Sequence, residues 1–308
     1  MYDTRPVEPD APIDARGRAP GMTRRTGVIA AAAALLAGCS GTRALDALVT
    51  DRTYTVRPDV SYGVDPRQKL DVYLPSSVQG AAGPLPVVVF FYGGSWTRGE
   101  RADYRFVGEA LASGGVVAVV ADYRLSPQVR WPDMLQDGAA AVRWTADHVA
   151  ELGGDPRRVH LMGHSAGGWI AAMLALDARW LGAQRLSPRQ LAGWIGLAGP
   201  YDFLPIGDPE VRVAFNWPDT PRESQPIVHA GAGAPRALLI APEKDTLVDP
   251  DRNTEGMARR LRELQVPVTV HRHAGVNHVT LAGSLAGPLR WLAPTRREVL
   301  DFLAAPVR

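Results

Sequence analysis

Cysteine is all but missing from this chain. Cys39 is the only one among 308 residues, so no intramolecular disulfide and no cysteine-based metal cluster can form within it. Lysine is nearly as scarce, with Lys69 and Lys244 alone. Arginine, alanine and glycine are abundant instead, a bias that speaks of a GC-rich bacterial genome more than of a function. A surplus of either charge is lacking too. The formal net charge of +2 leaves no electrostatic case for a nucleic-acid partner. Internal repeats and an inter-domain linker are absent, so one domain with a substantial core is the economical expectation.

Long apolar runs are also missing. The longest, Val28–Leu36, is too short for an ordinary membrane span. It follows Arg24-Arg25 and leads into Ala37-Gly38-Cys39-Ser40, the order of a secretory signal: charge, a short apolar segment, then small residues. Leu36-Ala37-Gly38-Cys39 has the form of a bacterial lipobox. The expectation is an exported lipoprotein held at the cell-envelope membrane by a lipid on Cys39. Both the general secretory route and the twin-arginine route stay open, because Gly27 stands where the latter prefers a bulky residue. The expected division is 1–21 as an unstructured extension or misassigned start, 22–38 as signal peptide, 39–55 as tether and 56–308 as catalytic domain.

Within that last stretch, strands alternate with helices, which predicts an α/β fold with a mostly parallel sheet of about eight strands covered on both faces. Tyr54–Val60 and Lys69–Leu74 read as an antiparallel opening pair. Val87–Phe91, Val116–Ala121, Val159–Met162, Gly193–Leu197, Ala237–Ile240 and Val268–His271 read as the parallel set. Met134–Glu151 and Arg252–Leu264 read as helices between them.

The strand ending at Met162 runs into Gly163-His164-Ser165-Ala166-Gly167 and out into an Ala-rich helix. A serine on so sharp a strand-to-helix turn has its hydroxyl lifted above the sheet. The glycines flank it because a Cβ at either place would strike neighbouring backbone. The helix N-terminus favours negative charge at the same spot. Ser165 is therefore the candidate nucleophile. Upstream, Pro86–Phe91 empties into Tyr92-Gly93-Gly94-Ser95-Trp96, a loop whose backbone can approach a substrate oxygen. The amides of Gly94 and Ser95, with that of Ala166, are the candidate oxyanion donors.

Downstream, Asp245 is the preferred carboxylate after its strand. Asp249, which precedes Pro250, reads as a helix cap, and Glu243 is the outsider. His278, in a loop beyond the last strand and near Gly275, is the candidate base. His271 and His273 share a strand face, but no cysteine or carboxylate cluster accompanies them, so no metal site is expected. His148, His160 and His229 have no catalytic partner in view. Trp96, His164 and Asp202 are candidate pocket residues, although Asp202 also suits a turn. The order Ser165, Asp245, His278 is that of one triad variant, in which the histidine deprotonates serine and the aspartate holds its tautomer.

These motifs, with Asp122-Tyr123-Arg124-Leu125-Ser126-Pro127, Trp131-Pro132, Asp137 and Gly153-Gly154-Asp155-Pro156, make the chain resemble α/β-hydrolases of the carboxylesterase branch over roughly residues 60–305. That branch includes hormone-sensitive-lipase-like and feruloyl-esterase-like enzymes, and kynurenine formamidases and prenylcysteine methylesterases are similar. Tyr92 replaces the family's usual histidine and Ser95 its third glycine, changes that spare the backbone donors. The resemblance implies structural roles for Asp122, Arg124 and Asp137. It also implies an ester-cleaving serine hydrolase with a small-molecule substrate and no cofactor. Segment 200–234, with Phe203, Phe215 and Trp217, is expected to form a small apolar lid. Amide hydrolysis by the same residues, and a catalytically silent envelope-anchored binding module, are the alternatives. The oligomeric state is left open.

Overall fold

The computed structural model describes residues 52–76 and 83–306, together with Leu45 and Val49. Cys39, the signal sequence and the extension before it lie outside the described residues. Leu45, inside the stretch expected to be a tether, is buried in the core.

All eight expected strands form, in one sheet. They are β1 (Tyr54–Ser61), β2 (Lys69–Pro75), β3 (Leu85–Phe91), β4 (Val117–Ala121), β5 (Gly154–His164), β6 (Gly193–Leu197), β7 (Ala237–Pro242) and β8 (Val268–His273). Their spatial order is β1-β2-β4-β3-β5-β6-β7-β8. The β1–β2 and β2–β4 pairs are antiparallel, and every other pair is parallel. All residues of β4, β6 and β7 are buried, which is why these segments read as continuous apolar runs rather than as alternation.

Two groups of helices cover the sheet. On one side α1 (Arg105–Ala112) touches α8 (Thr295–Ala304). On the other, α2 (Asp133–His148), α3 (Ala166–Leu176) and α4 (Ala178–Ala183) pack together. The other α-helices within residues 52–306 are, among the described residues, α5 (Pro209–Ala214), α6 (Gly256–Glu263) and α7 (His278–Gly283).

Where the observed elements depart from expectation, the cause is local. β5 begins at Gly154, earlier than its apolar residues suggest. Its polar first half contains Pro156, which sits where the register with β3 slips between Leu85 and Val87, an irregularity that accommodates a residue unable to donate. The helix expected over 134–151 stops at His148 and tightens into a 3₁₀ turn, Val149–Leu152, closed by Gly153 at φ 81°. The helix expected from Arg252 opens with a wide π turn, Asp251–Glu255, before α6. The Asp249 carboxylate accepts from the amides of Asp251 (2.9 Å) and Arg252 (3.3 Å) there, the capping role its sequence position suggested.

Ionic pairs tie the antiparallel end to the rest. Arg101 binds Asp59, Asp71 and Asp122, joining β1 and β2 to the segment just after β4. Arg124 grips Asp137 on α2 in a two-pronged contact at 2.8 Å, and Asp137 also accepts from the Gln68 amide at 2.8 Å. The structural roles expected for Asp122, Arg124 and Asp137 are thus observed.

Candidate functional site

The turn between β5 and α3 carries Ser165 at φ 53°, ψ −121°, a conformation that L residues rarely hold. Tight packing of backbone enforces it. A Cβ on Gly163 would lie 2.0 Å from the Gly167 carbonyl oxygen, and one on Gly167 would lie 2.0 Å from that of Phe91. Only glycine fits at either flank. The Ser165 amide donates to the Leu197 carbonyl on β6 at 2.9 Å, fixing the turn to the neighbouring strand end.

The loop after β3 lies directly over this turn, since a Cβ on Gly93 would stand 3.0 Å from that of Ser165. Gly94, Ser95 and Trp96 follow with positive φ values of 130°, 52° and 60°. Among the described residues, the amides of Gly94, Ser95 and Ala166 donate to no protein acceptor. Tyr92, at the root of the loop, points away from the site. Its ring stacks between Tyr104 and Tyr123, and its hydroxyl accepts from Arg67 at 2.7 Å.

His278 stands at the start of α7, where the Asn277 side chain accepts from the amides of Val279 and Thr280. Its Nδ1 is 2.6 Å from Asp245 Oδ2. The Asp245 side chain is wholly shielded from solvent. Burial raises its pKa, but the hydrogen bond and charge of His278 and the amides of Leu247 and Val248 outweigh that. The carboxyl is held below the usual carboxylate range. Asp245, not Asp249, is therefore the carboxylate that meets the histidine. Ser165 makes no hydrogen bond to the His278 ring in this structure, yet both line one cavity of about 490 Å³. Catalytic contacts commonly tighten only when substrate is bound.

Most of that cavity wall is apolar. Trp96, Phe203, Ile206, Val211, Leu247 and Val279 contribute to it, beside the backbone of Gly93, Gly94 and Ser95. Trp96 is held by its neighbours: it stacks on Phe203 and meets Trp169 and Phe215 edge-on. His164 also lines the cavity.

Asp202 does not line it. Its carboxylate is turned to Arg252, whose guanidinium lies 3.1 Å away, and its amide donates to Asn253. The expected lid is correspondingly smaller. Of its three aromatics only Phe203 faces the cavity. Phe215 is buried behind Trp96, and Trp217 is exposed beneath the Arg212 guanidinium. The apolar roof comes instead from Ile206 and from Val211 on α5. An Arg98–Glu210 contact of 3.0 Å ties α5 to the loop after β3.

The sequence reading missed Ile206, Val211 and Val279 as wall residues, because nothing in their local pattern separates cavity lining from core. It also missed the Glu298 carboxylate, which lies 2.9 Å from His273 and 3.4 Å from His271. No cluster of three or more potential ligands suited to a metal occurs among the described residues.

Residues 88–282 match the family described as alpha/beta hydrolase fold. Esterase LipC of Mycobacterium tuberculosis is 31% identical over 258 residues, covering 77% of this chain and 63% of that protein. A probable isoprenylcysteine alpha-carbonyl methylesterase of Arabidopsis thaliana is 35% identical over 164 residues, covering 50% of this chain and 33% of that protein. The chain thus spans from about a third to under two thirds of the length of these curated relatives. Among solved structures, esterase B of Lactobacillus rhamnosis superposes with a TM-score of 0.72 at 20% identity, over 89% of this chain and 96% of that one, a likeness of fold. With its eight-stranded sheet, strained serine turn and matched family segment, the chain belongs to the alpha/beta hydrolase fold family.

Proposed function

We propose that this protein hydrolyses carboxylic esters through an acyl-serine intermediate. His278 Nε2 takes the Ser165 hydroxyl proton as Oγ attacks the ester carbonyl carbon. The resulting oxyanion is bound by the amides of Gly94, Ser95 and Ala166. His278 returns the proton to the departing alcohol, and water then repeats the sequence to release the acid and restore the serine. Asp245 keeps the proton of neutral His278 on Nδ1 and stabilises the imidazolium that forms.

The observation that carries this reading is the 2.6 Å contact between His278 Nδ1 and Asp245 Oδ2, in a cavity that also presents Ser165. A shielded carboxylate against an imidazole that shares a cavity with a serine is the arrangement that a serine of ordinary acidity needs in order to react. The names of the relatives support esters as the substrate class, and the apolar wall suits an uncharged acyl or alkoxy group.

The test is fluorophosphonate labelling of the purified protein beside Ser165→Ala and His278→Ala, followed by turnover of matched p-nitrophenyl esters and anilides. The expected result is rapid labelling of the wild type, none in Ser165→Ala, and at least ~10³-fold slower labelling in His278→Ala, with esters preferred. A folded wild type that neither labels nor hydrolyses any ester would overturn the proposal.

A further inference from the structure

His164 is a cavity residue whose ring is buried and only half satisfied. Its Nε2 lies 2.8 Å from the main-chain carbonyl oxygen of His278, across 114 positions of sequence. A carbonyl can only accept, so Nε2 must carry the proton and Nδ1 must be a bare lone pair. That Nδ1 is buried and has no hydrogen-bond partner. It abuts the loop after β3, where a Cβ on Gly93 would stand 3.0 Å from it. The two rings, of His164 and His278, lie 5.0 Å apart between centroids.

An apolar side chain of similar size would remove the orphaned acceptor, but it would also remove the Nε2–H that reaches the His278 carbonyl. What the ring provides in exchange is a rigid link. His164 is covalently joined to Ser165, and its Nε2–H fastens the backbone of His278. The Asp245 contact restrains how the His278 ring rotates; the His164 contact restrains where that ring stands relative to the serine.

We propose that His164 is a positioning residue for the base: as a neutral Nε2–H tautomer it holds the His278 main chain at the distance from Ser165 that proton transfer requires. The proposal rests on the reading of His278 as base. Burial first, and then the neighbouring His278, drives the His164 pKa down to about 3. The ring therefore stays neutral through the physiological range and adds no charge beside the imidazolium formed during turnover. The titratable groups facing it are His278 and, beyond that ring, Asp245.

Three substitutions separate this role from mere filling of space. Glutamine places its amide nitrogen near the imidazole Nε2, asparagine places it one bond short, and leucine fills the volume without a donor. The expected result is a kcat lower by about 10–100-fold in His164→Leu and His164→Asn, with KM within about twofold, and fluorophosphonate labelling slowed by the same factor. His164→Gln should recover kcat to within about threefold. A second measurement on the wild type does not depend on how the variants fold. Long-range ¹H–¹⁵N spectra should contain one histidine locked as the Nε2–H tautomer that does not titrate between about pH 5 and 8, and that signal should vanish in His164→Gln. His160 will not be confused with it, because its Nδ1 contacts the Arg158 carbonyl and its tautomer is the opposite one. Wild-type kcat in His164→Leu, or a His164 signal that titrates or carries its proton on Nδ1, would overturn the proposal. A wild type inert to probe and esters would sink the hydrolase reading instead, and the spectra would still report on His164 separately.

Discussion

Gly94 shows how much a single residue of the site decides. Its φ of 130° is costly for any L side chain, and a Cβ there would lie 2.2 Å from the Arg98 carbonyl oxygen. Gly94→Ala must therefore shift the loop that carries the candidate oxyanion donors while leaving the His278–Asp245 contact untouched. The expected outcome is a fall in kcat of about 10²-fold, the loss typical of one misplaced oxyanion donor, with a lowered but still cooperative thermal melt. Steady-state kinetics beside a thermal melt would check it; unchanged turnover would remove Gly94 from the assignment. At this scale Ser165, Asp245 and His278 were legible because each carries a local cue: flanking glycines, or a polar residue just past an apolar strand. Asp202 misled because its cue was equally local, and its actual partner, Arg252, arrives from a distant turn. The His164 contact had no cue at all, being made to a backbone atom.

Among the elements, β5 has most to bear: it pairs with both β3 and β6 and ends at the strained serine. His160 lies fully buried within it, and burial, reinforced by Arg236, holds its pKa near 4 against an ordinary 6.5. The sign follows directly. Below about pH 6.5 the unfolded chain binds a proton that the folded strand refuses until about pH 4. Stability is thus fully present above that window and falls as pH drops through it. The slope from this residue is at most of order 1 kcal/mol per pH unit; His164 adds the same sign and extends the window towards pH 3. Denaturant melts between pH 7 and 4.5 should show the loss, and His160→Phe should make it shallower. An equal slope in that variant would mean that other groups carry the acid sensitivity. The apolar half of β5 was legible from its composition, whereas its first half was not, because an irregular register with β3 rather than side-chain pattern keeps Gly154–Arg158 in the sheet.

Across the whole molecule, long-range ion pairs lock the loops at the strand ends to the helices. Asp137 is almost completely buried on α2, and Arg124, reaching from the segment after β4, is its main cationic partner. Arg124→Ala would leave that carboxylate with the Gln68 side-chain amide and the main-chain N–H of residue 124, which donates at 2.9 Å, at an expected cost of about 2 kcal/mol. The figure sits below the fully buried case because Arg124 is itself partly exposed. Urea unfolding would measure it, and a loss under 0.5 kcal/mol would mean that water replaces the guanidinium without penalty. Such a variant should retain its His278–Asp245 contact, which separates stability from chemistry.

The strand order along the chain, the serine turn and the sequence Ser165, Asp245, His278 were determined by the sequence itself. Hydrophobic periodicity and glycine placement are local properties, and the parallel sheet follows from the alternation they create. Tertiary structure alone decided which aromatics wall the cavity, that Asp202 turns away to Arg252, that Leu45 joins the core, and that the His164 ring meets the main chain of His278. Each of these depends on a partner tens of residues away or more, brought close only when the sheet closes, and no local pattern in the chain specifies such a meeting.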